Sequence, residues 1–249
     1  MRHLIIMSSS YSSGCRIALD FCPGELKTNE FERAIAKIKD VCGADVSISS
    51  HSIEAEGASW QDVGKADMFF ADVRLIKTLD EFISLIKADR KLTGWDVAKY
   101  ILSKCKCTHL KLEKLVYLAY ADYLCATGGK RLFEDKILAY KYGPVVGTVY
   151  SECKRFGYDE IAGEGQLFSA RKYDELPVRS RILFAEDGFD KCLSIDKAIE
   201  SYGCFEGGQL IDITHRRSSP WQHTAQSAQI SDDDILKYHY VEKIYYISN

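Results

Sequence analysis

No excess of basic charge marks this sequence, and no apolar run in it is long enough to span a membrane. Its 33 Lys and Arg stand against 36 Asp and Glu, a formal net charge of −3. Non-specific nucleic-acid binding rests on clustered cations that release condensed counterions, and the basic pairs here never grow into such a cluster. A spanning helix needs about 20 apolar residues, which no stretch approaches. The run Leu4 to Met7 is also too short for a secretion signal, and the sequence turns polar at Ser8. No phosphate-cradling Gly-x-x-x-x-Gly-Lys-[Ser/Thr] occurs around Gly14 or Gly24. Internal repeats are lacking too, which excludes solenoids. Nine cysteines at irregular spacing fit thiols in a reducing compartment better than a disulfide framework. The expectation is a cytoplasmic, soluble protein.

What is present is a globular balance: 249 residues, 46% hydrophobic and 28% charged, enough for one or two domains with a real core. Residues 1–92 alternate strand and helix signals, the pattern of a small α/β domain. Leu4 to Met7 and Ile17 to Phe21 look extended, with Ser8 to Gly14 as a loop. Asn29 with Glu32 predicts a capped helix carrying Phe31, Ile35 and Ile38, and Gly43 suits its end. Val46 and Ile48 alternate with polar residues like a half-buried strand, and Met68 to Ile76 reads as another. Thr78 and Glu81 open a helix with Leu79, Phe82, Ile83 and Ile86 on one face. The seam, Asp89 to Gly94, is too short to act as a flexible tether.

Residues 93–249 read as mainly helical, so the fold class expected is α+β. Thr93 and Asp96 cap a helix from Trp95 with Ala98, Ile101 and Leu102 on one face. Leu112, Leu115, Val116, Ala119 and Tyr123 form a helical stripe that Gly128 and Gly129 stop. An extended piece covers Ile137 to Tyr142. Gly143-Pro144 then predicts a helix over Val145 to Phe156, because proline suits a first turn. Tyr158 to Asp187 reads as a long polar loop. Further helices are expected at Phe189 to Tyr202, at Glu206 to His215, after Ser219 and after Ser231.

Three blocks in order then carry a likeness. The first is Trp95-Asp96-Val97-Ala98-Lys99-Tyr100-Ile101-Leu102 with Leu110-Lys111-Leu112-Glu113-Lys114-Leu115-Val116-Tyr117-Leu118-Ala119. The second runs from Gly128 and Leu132-Phe133 through Ile137 to Val146, including Lys141-Tyr142-Gly143-Pro144-Val145-Val146, to Val149-Tyr150. The third is Leu210 to His215 with Pro220-Trp221, followed by the Ile230 to Tyr240 segment. Over about residues 95–240 the chain resembles the Panacea (SocA-like) antitoxin family. It departs from the family pattern at Glu113, where Gln is usual, at Tyr140, where Trp is usual, and at Gly147, where Pro is common. The N-terminal region lies outside the likeness, and its role is not readable.

The resemblance implies an antitoxin of a bacterial or prophage toxin–antitoxin system that neutralises a co-encoded toxin by direct binding. A branch of the family resembles adaptors that deliver a toxin to a cytoplasmic protease, so a protease or chaperone is a second class of partner. No enzyme activity, cofactor or metal is expected, and neither a membrane nor nucleic acid is expected as a partner. The residues proposed to meet a partner are Lys141, Tyr142, Gly143, Pro144, His215, Arg216 and Trp221. The bland reading of Lys141 to Pro144 is a device that sets core geometry, and that of His215 is a structural group at a helix end. Cys105, Cys107 and His109 match zinc-ligand spacing poorly. The Tyr-rich end, Tyr238 to Tyr246, reads as a segment docked on the core. The rival readings are an enzyme with a site around His215, Cys107 or His51, and a DNA-binding repressor of its own operon. Against the first, no spacing specifies a nucleophile with a base; against the second, there is no basic recognition helix.

Overall fold

The computed structural model describes residues 1–10, 14–22, 27–161 and 175–244. The chain divides into two compact units, Met1–Lys91 and Leu92–Asn249.

The first unit is built on a four-stranded sheet. Strand β1 (Arg2–Ser10) pairs antiparallel with β2 (Cys15–Phe21), Leu4 standing opposite Phe21 and Ser10 opposite Cys15. Helix α1 (Lys27–Cys42) follows, then β3 (Ser49–Glu54), helix α2 (Trp60–Ala66), the two-residue β4 (Arg74–Leu75) and helix α3 (Leu79–Arg90). The sheet order is β3-β1-β2-β4, with β4 parallel to β2. Alternation along the central strands sends Ile6, Ile17 and Leu19 to one face, where they pack with Ile38 of α1 and Phe82, Ile83 and Ile86 of α3. Ile5, Met7 and Ala18 go to the other face, under Val63, Phe70 and Val73. Burial on both faces explains why β1 reads as a continuous apolar run.

Four expectations for this unit need correction. Ser8 to Ser10 are strand, not loop, because β2 pairs with them as far as Cys15. Asn29 lies inside α1, which starts at Lys27. Val46 and Ile48 are connector, with the Val46 N–H turned back onto Gly43 O at 3.2 Å. The strand comes afterwards as Ser-Ser-His-Ser-Ile-Glu, an edge position that tolerates polar residues. Met68 to Phe70 form a 3₁₀ turn, closed by Asp67 accepting the Phe69 N–H at 2.8 Å. The run is apolar because Phe70 and Val73 plug the lower face of the sheet, and pairing is limited to Arg74–Leu75. Gly43 does end α1 at φ +101°, and Thr78 caps α3 by accepting the Glu81 N–H.

The second unit winds around one helix. Helix α4 (Gly94–Lys104) starts one residue earlier than Trp95, with Thr93 and Asp96 forming the reciprocal cap. Replacing Thr93 with alanine is expected to cost about 1 kcal/mol, read as a lowered urea midpoint with an unchanged slope. Helix α5 (His109–Ala126) is central, packed by α4 and by β6 (Gly143–Val146), which pairs antiparallel with β5 (Ile137–Tyr140). Then come α6 (Gly147–Cys153), α7 (Glu175–Leu183), α8 (Gly188–Tyr202), α9 (Gly207–Thr214), the single turn α10 (Pro220–His223) and α11 (Asp232–Tyr238). Helices α8, α9 and α11 close the remaining sides of α5.

Two expectations change here. Pro144 does not start a helix: it is the second residue of β6, opposite Ala139, and α6 begins at Gly147. The hairpin turn is Lys141-Tyr142, so Tyr140 and Gly143 form its closing pair. Ala139 and Pro144 then form a pair that exchanges no hydrogen bonds, where a proline has no N–H to lose. The Ala139 N–H is instead bonded to Ala228 O. In the expected loop Tyr158 to Asp187, α7 sets Val178 and Ile182 against the core at helical spacing. Residues 162–174 of that stretch lie outside the described residues, as do Tyr245 and Tyr246.

A buried polar network fastens the segment after α11. His239 is fully buried, with Nδ1 2.6 Å from Glu242 Oε2 and Nε2 2.9 Å from Asp122 Oδ1. Tyr117 of α5 donates to Glu242 Oε2 at 2.8 Å. No helix among the described residues is long and apolar enough to cross a membrane.

Candidate functional site

An amphipathic reading of α5 puts Lys111, Glu113 and Lys114 on its outer side, yet all three are buried. Charges on a helix closed on every side must find partners, and adjacent residues of opposite sign find them on β6. Glu113 Oε2 accepts the Val146 N–H at 2.9 Å, and Lys114 Nζ donates to Pro144 O at 2.6 Å. The second carboxylate oxygen of Glu113 faces His109 Nε2 at 3.4 Å. Close approach of the hairpin needs a glycine at 143. Its φ is +99°, and an added Cβ would meet Lys114 Cε and Thr214 Oγ1 at 3.0 Å.

Above this contact opens a cleft of about 570 Å³. Lys114 lines its interior, Tyr140 and Tyr150 stand edge-on to each other at 5.6 Å, and Tyr142 and Lys154 lie at its border. Burial pushes the Lys114 amine down to about 8 against a smaller upward pull from Glu113. Among the described residues, Pro144 O is its one hydrogen-bond acceptor, so most of its donor capacity is unspent. The cleft joins aromatic surface to cationic groups, Lys114, Lys141 and Lys154, and among the described residues Glu113 is the one acid lining it and is already engaged.

The expected site residues divide around this cleft. Lys141 and Tyr142 form the tip of the hairpin, both exposed; the ammonium lies 5.4 Å from the Tyr142 ring centroid, and the tyrosine is 58% exposed. Gly143 and Pro144 are buried and act through the backbone. His215 caps the C-terminus of α9, and its ring stacks on Trp221 at 3.7 Å and 16°. Burial and the Lys114 charge hold that imidazole below its ordinary range, against a smaller pull from Asp212. Its Nε2 is buried without a hydrogen-bond partner among the described residues. The Trp221 indole donates to Tyr140 O at 2.8 Å, tying α10 to the hairpin. Arg216 is engaged inside the chain, donating to Val241 O and Lys243 O at 2.9 and 3.3 Å.

Residues 112–222 match the family model of the antitoxin SocA-like, Panacea domain. The match covers most of the second unit and lies inside the span that the motifs mark. No curated protein and no solved structure gives a match to the chain. Within the matched segment lie the buried charges of α5 that follow Leu112, the whole β5–β6 hairpin and the His215–Trp221 stack. Sequence reasoning picked out the rim and the stack but missed the floor, Glu113 and Lys114. The signal for them was the alternation Lys111-Leu112-Glu113-Lys114-Leu115 within a helix otherwise rich in apolar residues.

Of the other sequence candidates, His109 lines the cleft, and Cys105 and Cys107 are not among its described lining residues. Cys105 and Cys107 face each other at 3.6 Å, and the hydrogen bond between them raises the Cys107 thiol and lowers that of Cys105. They form no ligand group with His109 among the described residues. His51 is hydrogen-bonded to Ser49 at 2.9 Å and packed against Phe69 and Phe70.

Proposed function

We propose that the chain is the antitoxin of a toxin–antitoxin pair and neutralises its toxin by binding it directly at the Lys141–Tyr142 rim of the cleft. The observation that carries this reading is the match to an antitoxin family over the segment that supplies most of the cleft lining. A tyrosine 58% exposed, beside a lysine and fixed on a short hairpin, is the kind of anchor that protein interfaces concentrate their energy on. The adjoining cleft, aromatic with three lysines, suits an acidic or aromatic segment of the toxin. An interface of ordinary size would bury about 1,200–2,000 Å², more than the cleft alone offers, so the toxin spreads over neighbouring helices. The first unit, outside the family match, adds specificity or recruits a further partner.

Growth rescue tests the reading. The adjacent gene product is expressed alone, with the full chain, and with the full chain carrying Tyr142→Ala and Lys141→Ala. The wild type is expected to restore growth. The double variant is expected to bind the toxin about tenfold or more weakly at unchanged Tm, since neither side chain supports the core. A toxic neighbour that the wild type fails to rescue counts against the antitoxin reading. Full rescue and unchanged affinity in the double variant would move the interface away from this rim.

A further inference from the structure

The sheet of the first unit carries a side-chain cluster that the proposed Lys141–Tyr142 rim does not include. The register of β1 and β2 ends at Leu4 opposite Phe21, so one step further His3 lies across from Cys22. Asp20, two residues before Cys22, shares their face. Ligand-type atoms of His3, Asp20 and Cys22 all lie within 4.8 Å of one another. His3 Nδ1 is 2.7 Å from Asp20 Oδ2, and Cys22 Sγ is 3.4 Å from His3 Nε2. The imidazole is fully buried and the Asp20 side chain nearly so, while Cys22 is partly exposed.

A second contact gives the cluster its direction. His3 Nε2 also faces the carbonyl oxygen of Gly57 at 3.0 Å. Both ring nitrogens therefore point at acceptors, a carboxylate on one side and a carbonyl on the other. A neutral imidazole has one N–H and satisfies one of them; a ring carrying two protons satisfies both. A thiol able to supply the second proton, that of Cys22, stands 3.4 Å from Nε2. A buried carboxylate, an imidazole it orients and a thiol within reach make up the nucleophile–base–orienter arrangement.

We propose that Cys22 is a reactive thiol, a modification site for small electrophiles and for hydrogen peroxide, with His3 as its base and Asp20 as the residue that positions His3. With peroxide, the thiol proton passes to His3 Nε2, the sulfur attacks one peroxide oxygen, an S–O bond forms and the O–O bond breaks. The departing hydroxide takes the proton back from His3 and leaves as water. Cys22 becomes a sulfenic acid, oxidised by two electrons, as the peroxide is reduced. With an alkyl halide, an S–C bond forms and halide leaves with the electron pair.

The test uses the full chain and iodoacetamide, with each cysteine followed by peptide mass spectrometry. At about pH 6, where an ordinary thiol is almost wholly protonated, Cys22 is expected to alkylate about tenfold faster than the exposed Cys204. Its rate is expected to fall much less than that of Cys204 between about pH 8.5 and 6. Asp20→Asn should lower the Cys22 rate about tenfold and restore an ordinary pH profile, and His3→Gln should do so more fully. Dimedone is expected to trap a sulfenic acid at Cys22 after hydrogen peroxide. Equal rates and equal pH profiles at Cys22 and Cys204 would overturn the proposal, as would an Asp20→Asn profile identical to wild type. Should His3→Gln fail to fold, the wild-type profile and Asp20→Asn decide the matter.

Discussion

Replacing His239 with leucine is expected to destabilise the helical unit by about 3–5 kcal/mol, the cost of removing one partner from a buried charged cluster. The ring touches a carboxylate at each nitrogen, Glu242 Oε2 at 2.6 Å and Asp122 Oδ1 at 2.9 Å. Only the doubly protonated imidazole donates to both, so these contacts raise its pKa above the ordinary histidine value despite the opposing effect of burial, the largest single influence. A group with a raised folded value contributes stability that is fully present below the unfolded pKa and is lost as pH rises through the folded one. Urea unfolding at about pH 6, followed by circular dichroism, reads the loss, and an NMR titration should place the His239 midpoint above the ordinary value of about 6.5. A loss under 1 kcal/mol, or a midpoint below that value, would mean the ring is held neutral. The Tyr117 hydroxyl donates to the same Glu242 oxygen, so the cluster fixes the segment after α11 to the central helix.

Lys114 gives the second large effect, of opposite pH sense. Its amine is lowered to about 8 by burial, whereas an unfolded lysine titrates near about 10.4. Between those values the unfolded chain holds a proton that the native chain has released, so the contribution of Lys114 to stability rises with pH. The wild type is expected to gain about 2 kcal/mol over Lys114→Met between pH 7 and about 9.5. Taking the difference between the two proteins cancels the buried tyrosines and cysteines, whose raised values pull the other way in both. Urea midpoints at several pH values measure it, and parallel curves would show that the amine is hydrated and titrates normally.

How much of this was legible in the sequence depended on whether the decisive partner was close along the chain. Caps and glycine stops are local, so Thr78, Thr93, Ser219 and Ser231 mark helix starts, and Gly43 and Gly128 mark ends, much as read. The stripe Leu112 to Tyr123 also shows the central helix. Its opposite face does not, because the partners of Glu113 and Lys114 lie some thirty residues away on a hairpin. That hairpin was misread for a related reason: Gly-Pro is a good local start for a helix, and Lys141-Tyr142 lacks the Asn-Gly signature of a tight turn. The strand at Ser49–Glu54 was hidden by its polarity, since an edge position asks little of side chains. Helix α7 was hidden because charged residues outnumber its two buried anchors. The rim of the candidate site was found through its family-like motif; the floor required the fold. His3, Asp20 and Cys22 escaped notice because they converge only once the register of β1 and β2 is known.

The paired ties from α5 to β6 carry one more consequence. A lysine on a strand carbonyl and the preceding glutamate on a strand N–H two residues along act as two pins of opposite polarity. The hairpin cannot slide along the helix or lift from it without parting both. Lys141 and Tyr142 are thus presented on a preorganised support, and a partner docking there, as proposed, would have little backbone to immobilise. Capture at the proposed rim would then be a rigid encounter, with affinity tuned by how long the partner stays rather than by how the hairpin rearranges.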